Sequence, residues 1–213
     1  MSSIADIRKD YKLKDLLESK AEKNPIDQFT RWWQEAIAAE IDEVNAMTLA
    51  TASPAGIPDA RIVLLKEYDT RGFVFFTNYT SAKGNQLQEN PHATLVFFWK
   101  ELERQVRISG EVEKVSDAES DQYYNSRPEG SRIGAWASPQ SKVIGSREWL
   151  DAEDVKFREL FSAKPIVRPA HWGGYRVKPT RIEFWQGRSS RLHDRLQYTL
   201  NQQGSWTIER LAP

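Results

Sequence analysis

The sequence of 213 residues is 39% hydrophobic and 28% charged, a composition typical of one globular domain with its own core. Thirty basic residues balance thirty acidic ones, so the chain has no overall excess of charge that would attract nucleic acid. The absence of cysteine excludes disulfides, a thiolate nucleophile and a sulfur-ligated metal.

The first 24 residues predict a mobile N-terminal arm, because their charges alternate without a helical or strand period. They also lack the apolar stretch of a secretory signal, and the apolar runs elsewhere are too short to cross a bilayer. We therefore expect a cytoplasmic protein with an arm or lid at 1–24 and a single domain at 25–213.

A helix is predicted to begin at Asn24, which can cap it, with Pro25 at the first helical position. Its apolar residues recur at helical spacing and are expected to face the core. These residues are Phe29, Trp32, Trp33, Ala36, Ile37 and Ile41.

From residue 46 the apolar period changes to that of strands. Residues 47–52, 60–68 and 72–78, separated by short turns, predict a three-stranded antiparallel meander. After a short helix that ends before Pro91, two more strands follow, and the first of these is apolar on both faces. A buried strand with half-buried neighbours indicates a closed barrel.

The second half of the chain predicts helices and then strands again. Residues 117–125 form a short helix, the following segment to residue 145 is irregular, and Ser146 caps a further helix. Four apolar residues of that helix are expected to pack inward: Trp149, Phe157, Leu160 and Phe161. The last strands include a hairpin at 201–204. The predicted fold class is mainly β with flanking helices, α+β.

The sequence contains neither GxGxxG after a strand nor GxxxxGK[ST], so any phosphate must be held by side chains. Two segments concentrate suitable groups. Residues 126–136 combine arginines and serines with a proline and two glycines, and residues 183–195 contain three arginines, a histidine and an aspartate. The arginines of segment 183–195 would repel one another unless an anion lay among them. The opposing interpretation is that each charge is an ordinary solvated one.

The histidines do not predict a metal site, because no HxH or HxxxH pair occurs. His193 is a candidate catalytic residue, although a lone histidine is more often structural. Trp185 is large enough to form the wall of a planar cofactor site, but a tryptophan in a strand is more often part of the core.

Five segments in register resemble the pyridoxamine (pyridoxine) 5′-phosphate oxidases. They are RIVLLK at 61–66, FFTN at 75–78, ERQVR at 103–107, SRPEGSRIGAW at 126–136, and FWQGRSSRLHDR from 184 onward through the terminal LAP. The resemblance extends from the IADIRKDY arm to Pro213 and so covers essentially the whole chain.

The resemblance implies an FMN-binding split β-barrel that works as a homodimer, with noncovalent FMN at the subunit interface. The implied reaction oxidises pyridoxamine 5′-phosphate or pyridoxine 5′-phosphate to pyridoxal 5′-phosphate, with O2 as electron acceptor and H2O2 as product. Two other interpretations stay open: a non-catalytic flavin-binding split-barrel module, and a nucleic-acid-binding β-barrel, which would need aromatic residues on an exposed basic face.

The resemblance also assigns site residues. The implied FMN contacts are Arg61, Ile62, Val63, Leu64, Leu65, Lys66, Phe76, Thr77, Lys83, Gln105, Gln140, Ser141, Trp185 and Arg195. The implied substrate contacts are Arg8 and Tyr11 in the lid, Lys66, Tyr123, Arg127 and Ser131 at the phosphate, and the catalytic pair Arg191 and His193 at the pyridine ring.

Three details qualify this assignment. Ala82 stands where many family members have arginine, and Arg188 where a second glycine is frequent. Arg61 and Lys66 are five residues apart, so in a regular strand they would face opposite sides. The end of a strand or a bulge must therefore lie between them.

Overall fold

The computed structural model describes residues 3–6 and 9–213, which form an antiparallel sheet of nine strands flanked by five α-helices. The strands are β1 Ala46–Ala52, β2 Pro58–Leu64, β3 Glu67–Asp69, β4 Gly72–Asn78, β5 His92–Trp99, β6 Arg104–Lys114, β7 Trp172–Gln186, β8 Asp194–Leu200 and β9 Trp206–Arg210. The helices are α1 Pro25–Ala38, α2 Ala82–Glu89, α3 Asp117–Ser126, α4 Glu129–Ala137 and α5 Arg147–Phe161. This architecture confirms the predicted fold class.

The strand order β2-β1-β5-β6-β7-β4-β3 closes into a barrel because β2 continues directly into β3. The predicted meander is therefore wrong in one respect: residues 60–68 are two strands, of which β2 pairs with β1 and β3 pairs with β4. The break lies where Leu65 turns into the core and donates its N–H to Asn45 O at 2.9 Å. Strands β8 and β9 extend the sheet from β7 and form the predicted hairpin.

Helix α1 closes one end of the barrel and begins as predicted. The Asn24 side chain accepts the N–H of Ile26 at 2.8 Å, and Pro25 is the first helical residue. Phe29 is fully buried and packs edge-on against Phe73 at a centroid distance of 4.9 Å. The predicted apolar face is too wide, however, because Ile37 is 52% exposed and the helix ends before Ile41.

Strand β5 is buried on one face only, which corrects the prediction that both faces are covered. Leu95 and Phe97 are fully buried, whereas Phe98 is 55% exposed in the isolated protomer. Simple alternation along the strand places Phe98 on the outer face of the barrel.

The segment predicted to be irregular contains α4. Pro128 precedes this helix, and Ile133 and Ala137 are buried one turn apart. Its two glycines, which are poor helix formers, obscured the pattern in the sequence. The predicted inward packing of α5 is also wrong, since none of its residues 147–161 is buried and it packs on α4, where Phe157 and Phe161 contact Trp136.

Part of the arm is hydrogen-bonded to the barrel. Lys12 and Leu13 donate their backbone N–H groups to the carboxylate of Glu103, and the Leu16 side chain is buried. The arm boundary at residue 24 and its mobility stay predictions. None of the helices in the described ranges is long and apolar enough to cross a membrane.

Candidate functional site

A cleft of about 640 Å³ lies between β2, β4, α3, α4 and the start of β7. It brings together eleven of the predicted site residues: Ile62, Val63, Leu64, Lys66, Phe76, Thr77, Lys83, Tyr123, Arg127, Ser131 and Gln140. Its size is in the range of sites that enclose a cofactor-sized molecule. We call it the main cleft.

Strand β2 forms the edge of this cleft. It pairs with β1 on one side and is the first strand in the sheet order, so its other edge has no ladder partner among residues 3–6 and 9–213. The unpaired N–H and C=O groups of that edge are available to a ligand. Strand β2 ends at Leu64, so Arg61 lies within the strand and Lys66 beyond its end. This is the strand end that was expected between these two residues.

Arg127 is the most distinctive cation of the main cleft. Its guanidinium lies over the ring of Trp172, with Cζ 4.6 Å from the ring centroid. Its Nη1 is buried and has no hydrogen-bond partner among the described residues. Burial lowers the pKa of Arg127, but a guanidinium remains charged at neutral pH. Four other buried side-chain donors of the described residues also lack a partner, but of the five only Arg127 lines the main cleft, where an anion can reach it.

An aromatic stack supports this part of the cleft. The rings of Phe76 and Tyr123 are stacked with centroids 4.1 Å apart, and Trp172 lies 5.5 Å from Phe76. A Cβ at Gly174 would come within 2.7 Å of the Phe76 ring, so the glycine permits this packing. The sequence analysis missed Trp172, although a tryptophan directly before two glycines is a local signal of close backbone packing.

The other end of the main cleft is polar. Thr77 Oγ1 and Lys83 Nζ both donate to Gln140 Oε1, at 3.1 and 3.2 Å. Lys83 is buried, and its pKa is lowered by burial first and by the nearby Arg61 second. A buried ammonium beside a second cation provides a favourable place for an anionic group.

Six predicted cofactor residues do not line the main cleft: Arg61, Leu65 and Ser141, which are sequence neighbours of residues that do, and Gln105, Trp185 and Arg195 on β6, β7 and β8. Arg61 is already paired with Asp59, and it donates to Thr51 Oγ1 at 2.6 Å. Leu65 lies in the core, with its backbone N–H and C=O both bonded to Asn45. Ser141 is exposed beyond Gln140, with a left-handed φ of 69°.

A second cleft, of about 440 Å³, contains Tyr11, Arg191 and His193. The rings of Trp185 and His193 are 4.6 Å apart, and Tyr11 packs edge-on against Trp185 at 5.8 Å. Arg188 donates its backbone N–H to His193 Nδ1 at 3.1 Å. Burial and the neighbouring Arg191 lower the pKa of His193, so the ring is a neutral acceptor at pH 7. We call this the arm cleft.

Arg191 is exposed in the arm cleft and has a left-handed φ of 61°, directly after Ser190 with a φ of 56°. Consecutive non-glycine residues in this region cost free energy and are more frequent at functional sites than elsewhere. Arg8, the other predicted lid contact, lies outside the described residues.

Gln105, Trp185 and Arg195 are cross-strand neighbours on β6, β7 and β8, beside the arm cleft. Arg195 Nε donates to Glu183 Oε1 at 2.9 Å, and its Nη1 donates to Ala212 O. Two of the three arginines of segment 183–195, Arg188 and Arg195, thus have a carboxylate beside them without an external anion, whereas Arg191 has no ion pair among the described residues. Glu183 pairs with Arg195 and Arg107, and Asp194 pairs with Arg210 and Arg188.

The two clefts lie at opposite ends of β7. Trp172 at its start lines the main cleft, and Trp185 near its end lies beside the arm cleft. A strand rises roughly 3.3 Å per residue, so about 40 Å of chain separates them. A single protomer thus leaves the predicted residues in two groups, as expected for a site that two subunits complete. No cluster of three or more potential metal ligands occurs in the part of the chain that the structure describes.

Comparisons with known proteins agree with this arrangement. Residues 33–160 match a family described as pyridoxamine 5′-phosphate oxidase, and residues 172–213 match the pyridoxine 5′-phosphate oxidase C-terminal dimerisation region. Pyridoxine/pyridoxamine 5′-phosphate oxidases from Trichormus variabilis and Ralstonia nicotianae are 60% identical over 211 residues and 61% identical over 213 residues. The alignment covers 99% of both chains in the first case and 100% in the second.

Solved structures show the same fold. PhzG from Burkholderia lata 383, in complex with tetrahydrophenazine-1-carboxylic acid, is 32% identical with a TM-score of 0.88, over 94% of this chain and 99% of that one. An FMN-binding protein related to pyridoxamine 5′-phosphate oxidase, from Nostoc punctiforme, has a TM-score of 0.71 at 19% identity, over 90% of this chain and 100% of that one.

Proposed function

We infer that this chain, which belongs to the pyridoxamine 5′-phosphate oxidase family, is an FMN-dependent oxidase of phosphorylated B6 vitamers. Pyridoxamine 5′-phosphate, O2 and water give pyridoxal 5′-phosphate, ammonia and H2O2. Pyridoxine 5′-phosphate and O2 give pyridoxal 5′-phosphate and H2O2. The enzyme is a homodimer, in accordance with the dimerisation region at 172–213.

The observation that carries this proposal is the cationic pocket around Arg127 in the main cleft. Its unpartnered Nη1, the Lys66 ammonium 5.9 Å from the Tyr123 ring centroid and the exposed hydroxyl of Ser131 offer donors for one phosphate group. Phosphate binding by these groups fixes the substrate at a point remote from the carbon that is oxidised. Such remote binding energy holds the reacting carbon in place.

The residues of the main cleft also fit FMN. The unpaired edge of β2 at 62–64 offers backbone donors and acceptors to a planar heterocycle, while Thr77, Lys83 and Gln140 provide a polar end. When bound, FMN accepts a hydride equivalent from the substrate and passes the electrons to O2. Arg61 does not line the cleft, but its positive charge lies close to Lys83, and we propose that it adds to the attraction of this polar end for an anionic group.

The arm cleft contributes orientation from the second subunit. His193 accepts the Arg188 N–H through Nδ1, so its Nε2 carries the proton and can donate to the substrate. Arg191 adds a guanidinium beside it. Arg195, held by Glu183, is proposed to lie near the flavin and to favour the reduced ring. These roles and the other residue assignments are proposals.

Hydrogen peroxide release tests the reaction. Purified protein loaded with FMN should release one H2O2 for each pyridoxal 5′-phosphate when it receives pyridoxamine 5′-phosphate in air. A yellow protein that produces neither would favour the non-catalytic flavin-binding module. A protein that takes up no FMN would contradict both.

Two further proposals concern the whole chain. The division into an arm at 1–24 and one domain at 25–213 is supported by the beginning of α1 at Pro25. A cytoplasmic location is proposed because the sequence has no cysteine and so forms no disulfide, a bond that is rare in cytosolic proteins.

A further inference from the structure

Glu103 is a buried carboxylate whose partners all belong to other parts of the chain. Its side chain is only 3% exposed. Its Oε2 accepts the backbone N–H groups of Lys12 and Leu13, at 2.9 and 3.1 Å, and Lys9 Nζ lies 3.6 Å from Oε1. A buried charge is stable only when its hydrogen bonds are satisfied, and here the arm satisfies them.

The backbone of Glu103 is equally specific. It has a left-handed conformation, with φ 56° and ψ 41°, between a 3₁₀ turn and β6. Its carbonyl accepts the N–H of Gly187 at 2.7 Å and the side-chain amide of Gln186 at 3.2 Å. Glu103 therefore joins the arm to the end of β7, directly before the segment that carries Arg191 and His193.

Tyr11 is the arm residue next to this junction. A Cβ at Gly187 would come within 2.7 Å of Tyr11 Cγ, so the ring lies on the glycine backbone. From there the ring contacts Trp185 and His193, with centroids 5.8 and 6.0 Å away. The position of Tyr11 in the arm cleft thus depends on how residues 12 and 13 are held.

Apolar burial does not hold this part of the arm. Of residues 9–15, all are exposed except Tyr11, which is half-buried. The next attachment is Lys14, whose Nζ donates to Glu35 Oε2 at 2.6 Å and whose carbonyl accepts from Arg188 Nη1 at 3.3 Å. Leu16 follows, and its N–H donates to Asp194 Oδ2 at 3.1 Å. Loss of the Glu103 carboxylate would leave residues 9–13 without a hydrogen bond to the barrel among the described residues, so that only the ring contacts of Tyr11 would hold them there.

We propose that Glu103 is a positioning residue, which acts through Tyr11 to hold the arm over the substrate in the arm cleft. The proposal rests on the proposed function for the identity of the substrate, but not for the attachment of the arm. Contacts that cover a substrate equally in the ground state and the transition state affect KM rather than kcat. Glu103 should therefore set the KM for pyridoxamine 5′-phosphate.

The test compares Glu103→Ala, Glu103→Gln and the control Asp15→Asn in FMN-loaded protein. Asp15 is an exposed carboxylate of the same arm, paired with Lys20. Glu103→Ala should raise KM at least 10-fold with kcat changed less than 3-fold, and Glu103→Gln, which keeps an acceptor oxygen, should restore part of the affinity. Asp15→Asn should leave both constants unchanged. If Glu103→Ala fails to fold, Glu103→Gln should still raise KM measurably.

A double-mutant cycle separates positioning from a general structural role. In a Tyr11→Ala background, Glu103→Gln should raise KM no further. A KM effect that multiplies with that of Tyr11→Ala, or a loss confined to kcat, would overturn the proposal.

Hydrogen exchange provides a readout that does not need activity. The amides of Lys12 and Leu13 should exchange at least 10-fold faster in Glu103→Ala than in the unsubstituted protein, with the β6 and β7 amides unchanged. Unchanged exchange at these two amides would overturn the proposed attachment. If the unsubstituted protein does not oxidise pyridoxamine 5′-phosphate, the proposed function fails, and the exchange experiment still decides whether Glu103 holds the arm.

Discussion

Replacement of Arg127 by alanine should selectively damage the use of phosphorylated substrates. The guanidinium is half-buried, stacked on Trp172, and its Nη1 has no partner among the described residues. Removal of a charged group from a desolvated pair costs about 2–5 kcal/mol, and partial exposure places Arg127 near the lower end, at about 2–3 kcal/mol. At 1.4 kcal/mol per tenfold, kcat/KM for pyridoxamine 5′-phosphate should fall roughly 30-fold to 150-fold.

The fold should tolerate this change. Loss of the stacking on Trp172 destabilises the fold by about 0.5–2 kcal/mol. Removal of a buried donor without a partner stabilises the fold by a similar amount, about 1–3 kcal/mol. The melting temperature and the FMN content should therefore stay close to those of the unsubstituted protein.

Steady-state kinetics with pyridoxamine 5′-phosphate and with unphosphorylated pyridoxamine provide the assay. Arg132→Ala is the matched control, because Arg132 belongs to the same segment but lines a different cavity. Only Arg127→Ala should lose activity, and only toward the phosphorylated substrate. Equal losses on both substrates, or a loss of FMN, would refute the assignment of Arg127 to the substrate phosphate.

The remaining predictions concern the arm cleft, the flavin and the fold. Because the pKa of His193 is lowered, more than half of its rings are neutral at about pH 6.5, where an ordinary histidine is half protonated. Acid should therefore reduce kcat/KM only below pH 6.5, where it protonates His193 Nδ1, the acceptor of the Arg188 N–H. An NMR titration of His193 with a midpoint at or above pH 6.5 would contradict the lowered pKa. Arg195→Leu should lower the reduction potential of bound FMN by about 40 mV, which is equivalent to about 2 kcal/mol for two electrons. The expected shift is modest because Glu183 already neutralises part of the charge of Arg195. A spectroelectrochemical titration that shows no shift would count against the assignment of Arg195 to the flavin. Asn24→Ala should destabilise α1 by about 1 kcal/mol and lower the melting temperature by about 2–4 °C, and a melting curve without a shift would mean that the cap contributes little.

The sequence predicts most elements of this fold because their signals are local. Asn24 and Pro25 mark the beginning of α1, and the alternation of apolar residues marks the strands. Division of residues 60–68 into β2 and β3 is not a local property, since it depends on the pairing of β2 with β1 and of β3 with β4. Helix α4 was missed because Gly130 and Gly134 interrupt an otherwise helical composition.

The candidate site shows the same limit. The resemblance predicts which residues gather in the main cleft, as for Lys66 and Arg127. It does not predict the buried partners of the charges: Glu183 beside Arg195, and Glu103 beneath the arm, come close only in three dimensions. Ion pairs between residues on neighbouring strands leave no spacing in the sequence that could reveal them.

We expect two subunits together to form an FMN-dependent oxidase of phosphorylated B6 vitamers. The most direct test mixes two impaired variants, Arg127→Ala in the main cleft and a double variant, Arg191→Ala with His193→Ala, in the arm cleft, and lets them exchange subunits in the presence of FMN. If each site takes one cleft from each protomer, a mixed dimer contains one site with substitutions in both clefts and one intact site. Random exchange at equal amounts makes about half of the dimers mixed. H2O2 release from pyridoxamine 5′-phosphate should therefore recover to about a quarter of the rate of the unsubstituted protein. A mixture that exchanges subunits but releases H2O2 no faster than the two variants do separately would contradict a site shared by two subunits.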